Sequence, residues 1–107
     1  VKRKKFLDNK KNAQSVYFKK RMAQRYRVYF NNAAKRKIIN EIKCNFSNVE
    51  FLYKQSNTRA VWKINIQNKL IPVVYDSSRQ NLVTCLTWDM VEEARNEILL
   101  LEKNFSF

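Results

Sequence analysis

No histidine and no glycine occur among the 107 residues, and there is a single proline. Without imidazole, neither a Ser-His-Asp nor a Cys-His nucleophile system can be assembled, and no histidine can shuttle protons or ligate zinc. The two cysteines, Cys44 and Cys85, cannot complete a tetrahedral zinc site by themselves. Without glycine there is no P-loop and no dinucleotide fingerprint, because both need backbone that a Cβ would block. Acidic residues are scarce: five of the nine fall in the last twenty positions and none forms a D-x-D pair, which makes a metal nuclease the weakest reading. Apolar runs are a handful of residues, far below the roughly 20 needed to cross a bilayer. The basic start of the chain runs into Asp8, Asn9 and Lys10, unlike a signal peptide. Chemistry is left to Lys, Arg, Tyr, Asp, Glu, Ser and Thr, and neither a metal nor a cofactor is expected.

What the chain has in excess is positive charge. Its formal net charge is +13, and all of it falls in residues 1–43; residues 44–107 hold seven basic and seven acidic side chains. Asymmetry of this size points to a polyanionic partner, and nucleic acid is the leading one. The expected contacts are Lys19, Lys20, Arg21, Arg25, Arg27, Lys35, Arg36 and Lys54. A membrane surface is disfavoured because the apolar stripe of Phe18, Met22 and Tyr26 is narrow and mostly aromatic. Cys44, at a helix end, and Cys85, within a strand, both sit among apolar neighbours. They read as buried free thiols in a reducing cytoplasm.

Periodicity then gives the elements. Residues 1–12 read as a mobile basic arm, and residues 13–26 as a helix. RYRVYF (25–30) is short, aromatic and alternating, so it predicts a strand. Asn31 and Asn32 can cap a helix over residues 33–44, with Ala34, Ile38 and Ile42 on its apolar face. Four strand patterns follow: NVEFLYK, RAVWKINI, KLIPVVYD and NLVTCLT. Their connections are short enough for hairpins, with Asn and Ser in the place of glycine. Pro72 predicts a bulge or an edge-facing position. The chain closes on a helix over 89–103, with Asp89 and Glu92 at capping-box spacing. The class is α+β: a small antiparallel sheet of four or five strands with helices packed on one face, and residues 1–24 preceding the domain at 25–107. Trp62 is expected between sheet and helix.

The sheet face opposite Trp62 carries Arg59 and Lys63. With sequential pairing, Lys54, Tyr75, Asp76, Arg79 and Thr84 could join them as a cationic floor edged by a phenol. Such a floor can hold phosphates and stabilise charge building on phosphorus during RNA cleavage. The RNA 2′-hydroxyl supplies its own nucleophile. Tyr75 is the candidate for proton transfer, and Glu50 or Asp76 the fallback base.

RYRVYFNNAAKRKIINEI, QSNTRAVWKINI and LIPVVYDSSRQNLVTCL together resemble RelE-type toxin domains and related colicin-like ribonucleases, over about residues 25–87. The most specific part is W-x-I-x-I followed by IPVVYD, a turn with a basic residue, and LVTCL. The resemblance implies a metal-independent endoribonuclease that acts on tRNA or mRNA laid on the open sheet face. By that resemblance Arg59, Lys63 and Arg79 are its cations; Tyr75 would replace the family's missing acid or base, and Thr84 joins the expected catalytic set from its place on the sheet surface alone. A cognate inhibitor or antitoxin, and a cytoplasmic site of action in the cell of origin or a target cell, belong to the same implication. The sequence departs from the family after residue 87, where TWDMVEEAR turns acidic in place of an Arg, His or Tyr cluster. A non-catalytic module that binds nucleic acid or a host protein is therefore the alternative.

Overall fold

The computed structural model describes the backbone of residues 2–45 and 47–105, and the side chains of residues 10–45 and 47–103. Its order is α1 (Lys2–Tyr26), α2 (Asn32–Cys44), β1 (Val49–Lys54), β2 (Arg59–Ile66), β3 (Lys69–Asp76), β4 (Asn81–Cys85) and α3 (Trp88–Phe105). The strands form one antiparallel meander, β1-β2-β3-β4. The class is α+β.

The first correction concerns the N-terminus. The expected mobile arm is the start of α1, which runs unbroken for 25 residues. No glycine or proline interrupts that stretch, and it is rich in Lys, Arg, Gln and Ala, which favour helix. Phe18 and Met22 are fully buried against Ile64, Ile71 and Leu82, so α1 is built into the main core. Burying each such side chain contributes roughly 1.5–3 kcal/mol.

The expected strand at 25–30 does not form. Arg27 turns left-handed at φ 55°, its N–H donates to the Ala23 carbonyl, and the Val28 N–H donates to the Met22 carbonyl. These bonds satisfy two of the last carbonyls of α1, the first of them as in an αL closure. The alternation in the sequence is real, but it serves a linker stretched over the core. Val28 is buried, Phe30 packs edge-on against Phe18 at 5.5 Å, and Tyr29 points outward. Asn31 then caps α2, its side chain accepting the Ala34 N–H, and Asn45 closes α2 in the left-handed region.

The helices also divide between the two faces, where one was expected. On the first face α1 and α2 cover Ile64, Ile71, Val73, Tyr75, Leu82 and Cys85, with Trp62 partly buried beside them. On the second, Val91, Ala94 and Ile98 of α3 pack on Tyr53, Val61 and Val74. The cap of α3 lies two residues earlier than expected: Thr87 Oγ1 accepts the Met90 N–H, and the Thr87 carbonyl accepts the Val91 N–H. Pro72 is not at a bulge but at an edge-facing position of an inner strand. It pairs with Lys63 in β3, and its carbonyl meets the Leu86 N–H just past the end of β4, where a ladder donor can be missing.

Candidate nucleic-acid interface

The expected cationic floor does not assemble. Adjacent residues of a strand point to opposite faces. Tyr75, opposite Ala60, therefore faces the α1/α2 core, away from Arg59 and Lys63. Burial and the Asp76 carboxylate push its phenol above the ordinary range, which is the wrong direction for a base. Lys54 is lost to the same face by a bulge: the register shifts between Phe51 and Tyr53, so Lys54 pairs with Ala60. Thr84 does lie on the second face, opposite Val74, but its hydroxyl donates to the Cys85 carbonyl. Val61, between Arg59 and Lys63, is fully buried beneath α3.

The cations of that face are also committed. Arg59 and Arg79 both meet Asp76, at 3.9 and 3.1 Å, and Gln14 of α1 donates to the same carboxylate oxygen. Asp76 is 1% exposed. Burial pulls its pKa up, but hydrogen bonds from Ser78, Gln14 and Arg79 outweigh it and hold the group at about 2. This cluster ties β2, the β3–β4 turn and α1 together. Lys63 is paired with Glu50, whose carboxyl the ammonium holds below its usual range. Neither fallback base is free to take a proton near neutrality.

A different constellation is present between α1 and α2. The two helices leave a groove of about 610 Å³, lined by Lys11, Ser15 and Lys19 of α1 and by Asn32, Lys35, Arg36, Asn40 and Lys43 of α2; Gln80 of the β3–β4 turn and Asn81 of β4 also line it. One end is marked by Lys19, which donates to Asn32 Oδ1 at 2.7 Å; the other by Lys43, which donates to Gln80 Oε1 at 2.9 Å. Five cations line it, and among the described residues each of the three ion pairs lies elsewhere. The positive end of the α2 dipole adds to them at the Asn32 end, where no acidic residue sits in the first turn.

Lys35 is the centre of this arrangement. It is 8% exposed and donates to Ser15 Oγ. Burial lowers its pKa, and Lys19, Lys11 and Arg36 push in the same direction. A lysine is rarely buried without a carboxylate, because desolvating its charge is costly. Asn81, fully buried in the groove wall, donates to the Lys11 carbonyl and to Gln14 Oε1, while its own Oδ1 has no partner among the described residues.

Of the expected nucleic-acid contacts, Lys19, Lys35 and Arg36 line this groove. Lys20 is exposed on α1 outside it, and Arg27 is exposed at the corner. Arg21 stacks over Tyr17 at 4.9 Å from the ring centroid and also donates to its hydroxyl. Arg25 is an anchor: it donates to the Cys85 carbonyl while Tyr26 donates to that of Leu86, which fastens the end of α1 to β4. The side chains of residues 1–9, expected to dock nucleic acid, lie outside the described residues. Lys11 and Lys43 were not among the expected contacts. Their signal is a polar stripe at helical spacing, Lys11–Ser15–Lys19 facing Asn32–Arg36–Asn40–Lys43.

Both thiols are free. Cys85 is buried, and burial pushes its pKa up to about 11; Cys44, expected to be buried, is exposed at the end of α2. Among the described residues no helix is long and apolar enough to cross a membrane. No protein-family model, curated protein or solved structure matches the chain. The likeness to RelE-type domains therefore rests on the residues quoted for it.

Proposed function

We propose that this protein binds RNA, seating backbone phosphates in the groove between α1 and α2. The observation that carries the reading is a groove lined by five cations with no carboxylate partner among the described residues, one of them the buried Lys35. Phosphates supply the missing counter-charge and release condensed ions from the strand. The amide side chains of the lining, Asn32 and Asn40 among them, offer partners for sugar hydroxyls, and the 2′-hydroxyl distinguishes RNA from DNA. The resemblance to RelE-type domains supports an RNA ligand. Cleavage is left out of the reading because Arg59 and Arg79 are bound to Asp76, Lys63 is bound to Glu50, and Tyr75 faces the core. Both free thiols suit a cytoplasmic site of action.

Fluorescence anisotropy with a labelled oligouridylate of about a dozen nucleotides tests this, between about 50 and 200 mM salt. Contact with three to five phosphates gives a log–log salt slope of about −2 to −3.5. The double variant Lys19→Gln/Arg36→Gln should flatten it by about one unit and weaken binding roughly tenfold or more. An unchanged slope would remove the groove as the docking site. Recovery of the same RNA with new 2′,3′-cyclic phosphate ends, in the presence of EDTA, would restore the ribonuclease reading.

A further inference from the structure

We infer that the RNA held here is single-stranded and that one of its bases stacks on Tyr29 at the Asn32 end of the groove. This inference rests on the groove being the phosphate site.

Tyr29 is 81% exposed, more than any other large hydrophobic side chain described. Its backbone is nevertheless fixed. Val28 before it is buried and bonded through its N–H to the Met22 carbonyl, and Phe30 after it packs on Phe18. Asn31 is held in extended geometry as the α2 cap. An aromatic ring on a clamped segment loses little backbone freedom when something stacks on it, so stacking there is not cancelled by ordering. Among the described residues neither core cluster includes the ring: the core on this side is completed by Phe18, Met22, Val28 and Phe30.

Position gives the ring its role. Tyr29 lies three residues before Asn32, which accepts the Lys19 ammonium, so at most about 10 Å of chain separates it from the end of the groove. Arg27 is exposed two residues away on the other side. A second exposed aromatic, Tyr17, stands on α1 next to Val16 of the groove lining and is braced by Arg21. Cations that track a backbone, flanked by aromatic rings, are the elements of sequence-tolerant single-strand binding, in which each base offers a π-face. The volume argues the same way. A groove of about 610 Å³ is on the scale of small-molecule sites, about 300–1,000 Å³, and so admits a short stretch of one strand. A duplex keeps its bases paired and stacked inside, so along its length it offers Tyr29 no π-face and only its two ends expose one.

The test compares four probes of equal length at one salt concentration: single-stranded RNA, the same RNA as a blunt duplex, single-stranded DNA, and an abasic strand with the same phosphates. Wild type should bind the single-stranded RNA at least tenfold tighter than the duplex. Tyr29→Ala should weaken that binding by about 5- to 150-fold, the range of base–aromatic stacking, without changing the salt slope. Tyr29→Phe should bind like wild type, and the abasic strand should not distinguish Tyr29→Ala from wild type. Equal affinity for strand and duplex, or no loss in Tyr29→Ala, would overturn the stacking inference. If Lys19→Gln/Arg36→Gln still flattened the slope in that case, the groove reading would stand. Indifference to both sets of substitutions would remove both. Single-stranded DNA bound as tightly as RNA would leave the stacking intact and overturn the choice of RNA.

Discussion

Asp76 shows how one side chain can decide whether neighbouring cations are chemical or structural. Arg59 and Arg79 look available in the sequence, yet both close on this buried carboxylate together with Gln14 and Ser78. The linkage has a definite sign. The Asp76 carboxyl is held at about 2 in the fold against its ordinary 3.8, so the folded state binds its proton less readily. Its stabilisation is complete above about pH 4 and is lost as the pH falls through 2, and it amounts to about 2 kcal/mol. Asp76→Asn should cost a similar amount at neutral pH and lose its share of the acid dependence between pH 4 and 2. Urea titrations at several pH values measure both, and a variant as acid-sensitive as wild type would show that another carboxylate carries the effect. Backbone strain is also readable residue by residue. The β2–β3 hairpin turns on Gln67 and Asn68, at φ 51° and 62°, where a chain with glycine would normally place Asn-Gly. Gln67→Gly should relieve left-handed strain of about 1–2 kcal/mol, partly offset by glycine's greater unfolded freedom. A net gain of up to about 1 kcal/mol is expected; a loss would mean the Gln67 side chain holds the turn.

Among the elements, the helices carry the functional contrast. Lys35 sits on α2 with its charge desolvated and no carboxylate paired with it among the described residues, which weakens the folded state at neutral pH. Because its pKa is lowered in the fold, this penalty is present below the folded pKa and fades as pH rises toward 10.5. Lys35→Met should therefore raise Tm by a few degrees, as a gain on the order of 1 kcal/mol does in a domain this size, while weakening RNA binding. Calorimetry and anisotropy on the same variant check the two halves, and a variant that loses stability would show that the Ser15 bond outweighs the desolvation. The strands were legible because the alternation in RAVWKINI and the apolar run in KLIPVVYD are each bounded by short polar turns: β2 and β3 match these segments residue for residue. The face of each side chain was less legible. Bulges at Phe51/Tyr53 and Val74/Tyr75 reset the alternation without a glycine to announce them. The groove was hidden for another reason. Lys35, Arg36 and Lys43 look like a solvated helix face until α1, extended by the supposed arm, is seen to run opposite them.

At the scale of the whole molecule, charge is segregated across the sheet. The cation-rich helices α1 and α2 cover one face, while α3, with five carboxylates against two cations, crosses the other. A polyanion is drawn to one side and repelled from the other, so the RNA proposed as ligand would meet the protein in one orientation. Net charge alone makes a different forecast, and the two can be separated. Lys19→Gln/Arg36→Gln removes two positive charges from the groove; Glu93→Gln/Glu97→Gln adds two net positive charges on exposed positions of α3. If affinity follows total charge, the two pairs should shift it by similar factors in opposite directions. If it follows the groove, the first pair should weaken binding tenfold or more and the second should strengthen it only slightly. The reason is distance: α3 lies beyond a sheet whose packed layers are about 10 Å apart, and the Debye length at 0.15 M salt is about 8 Å. Repeating the comparison at about 0.01 M salt, where the Debye length is about 30 Å, should bring the α3 pair into view. An α3 effect as large as the groove effect at 0.15 M salt would mean that the protein binds RNA as a diffuse cation, with no site.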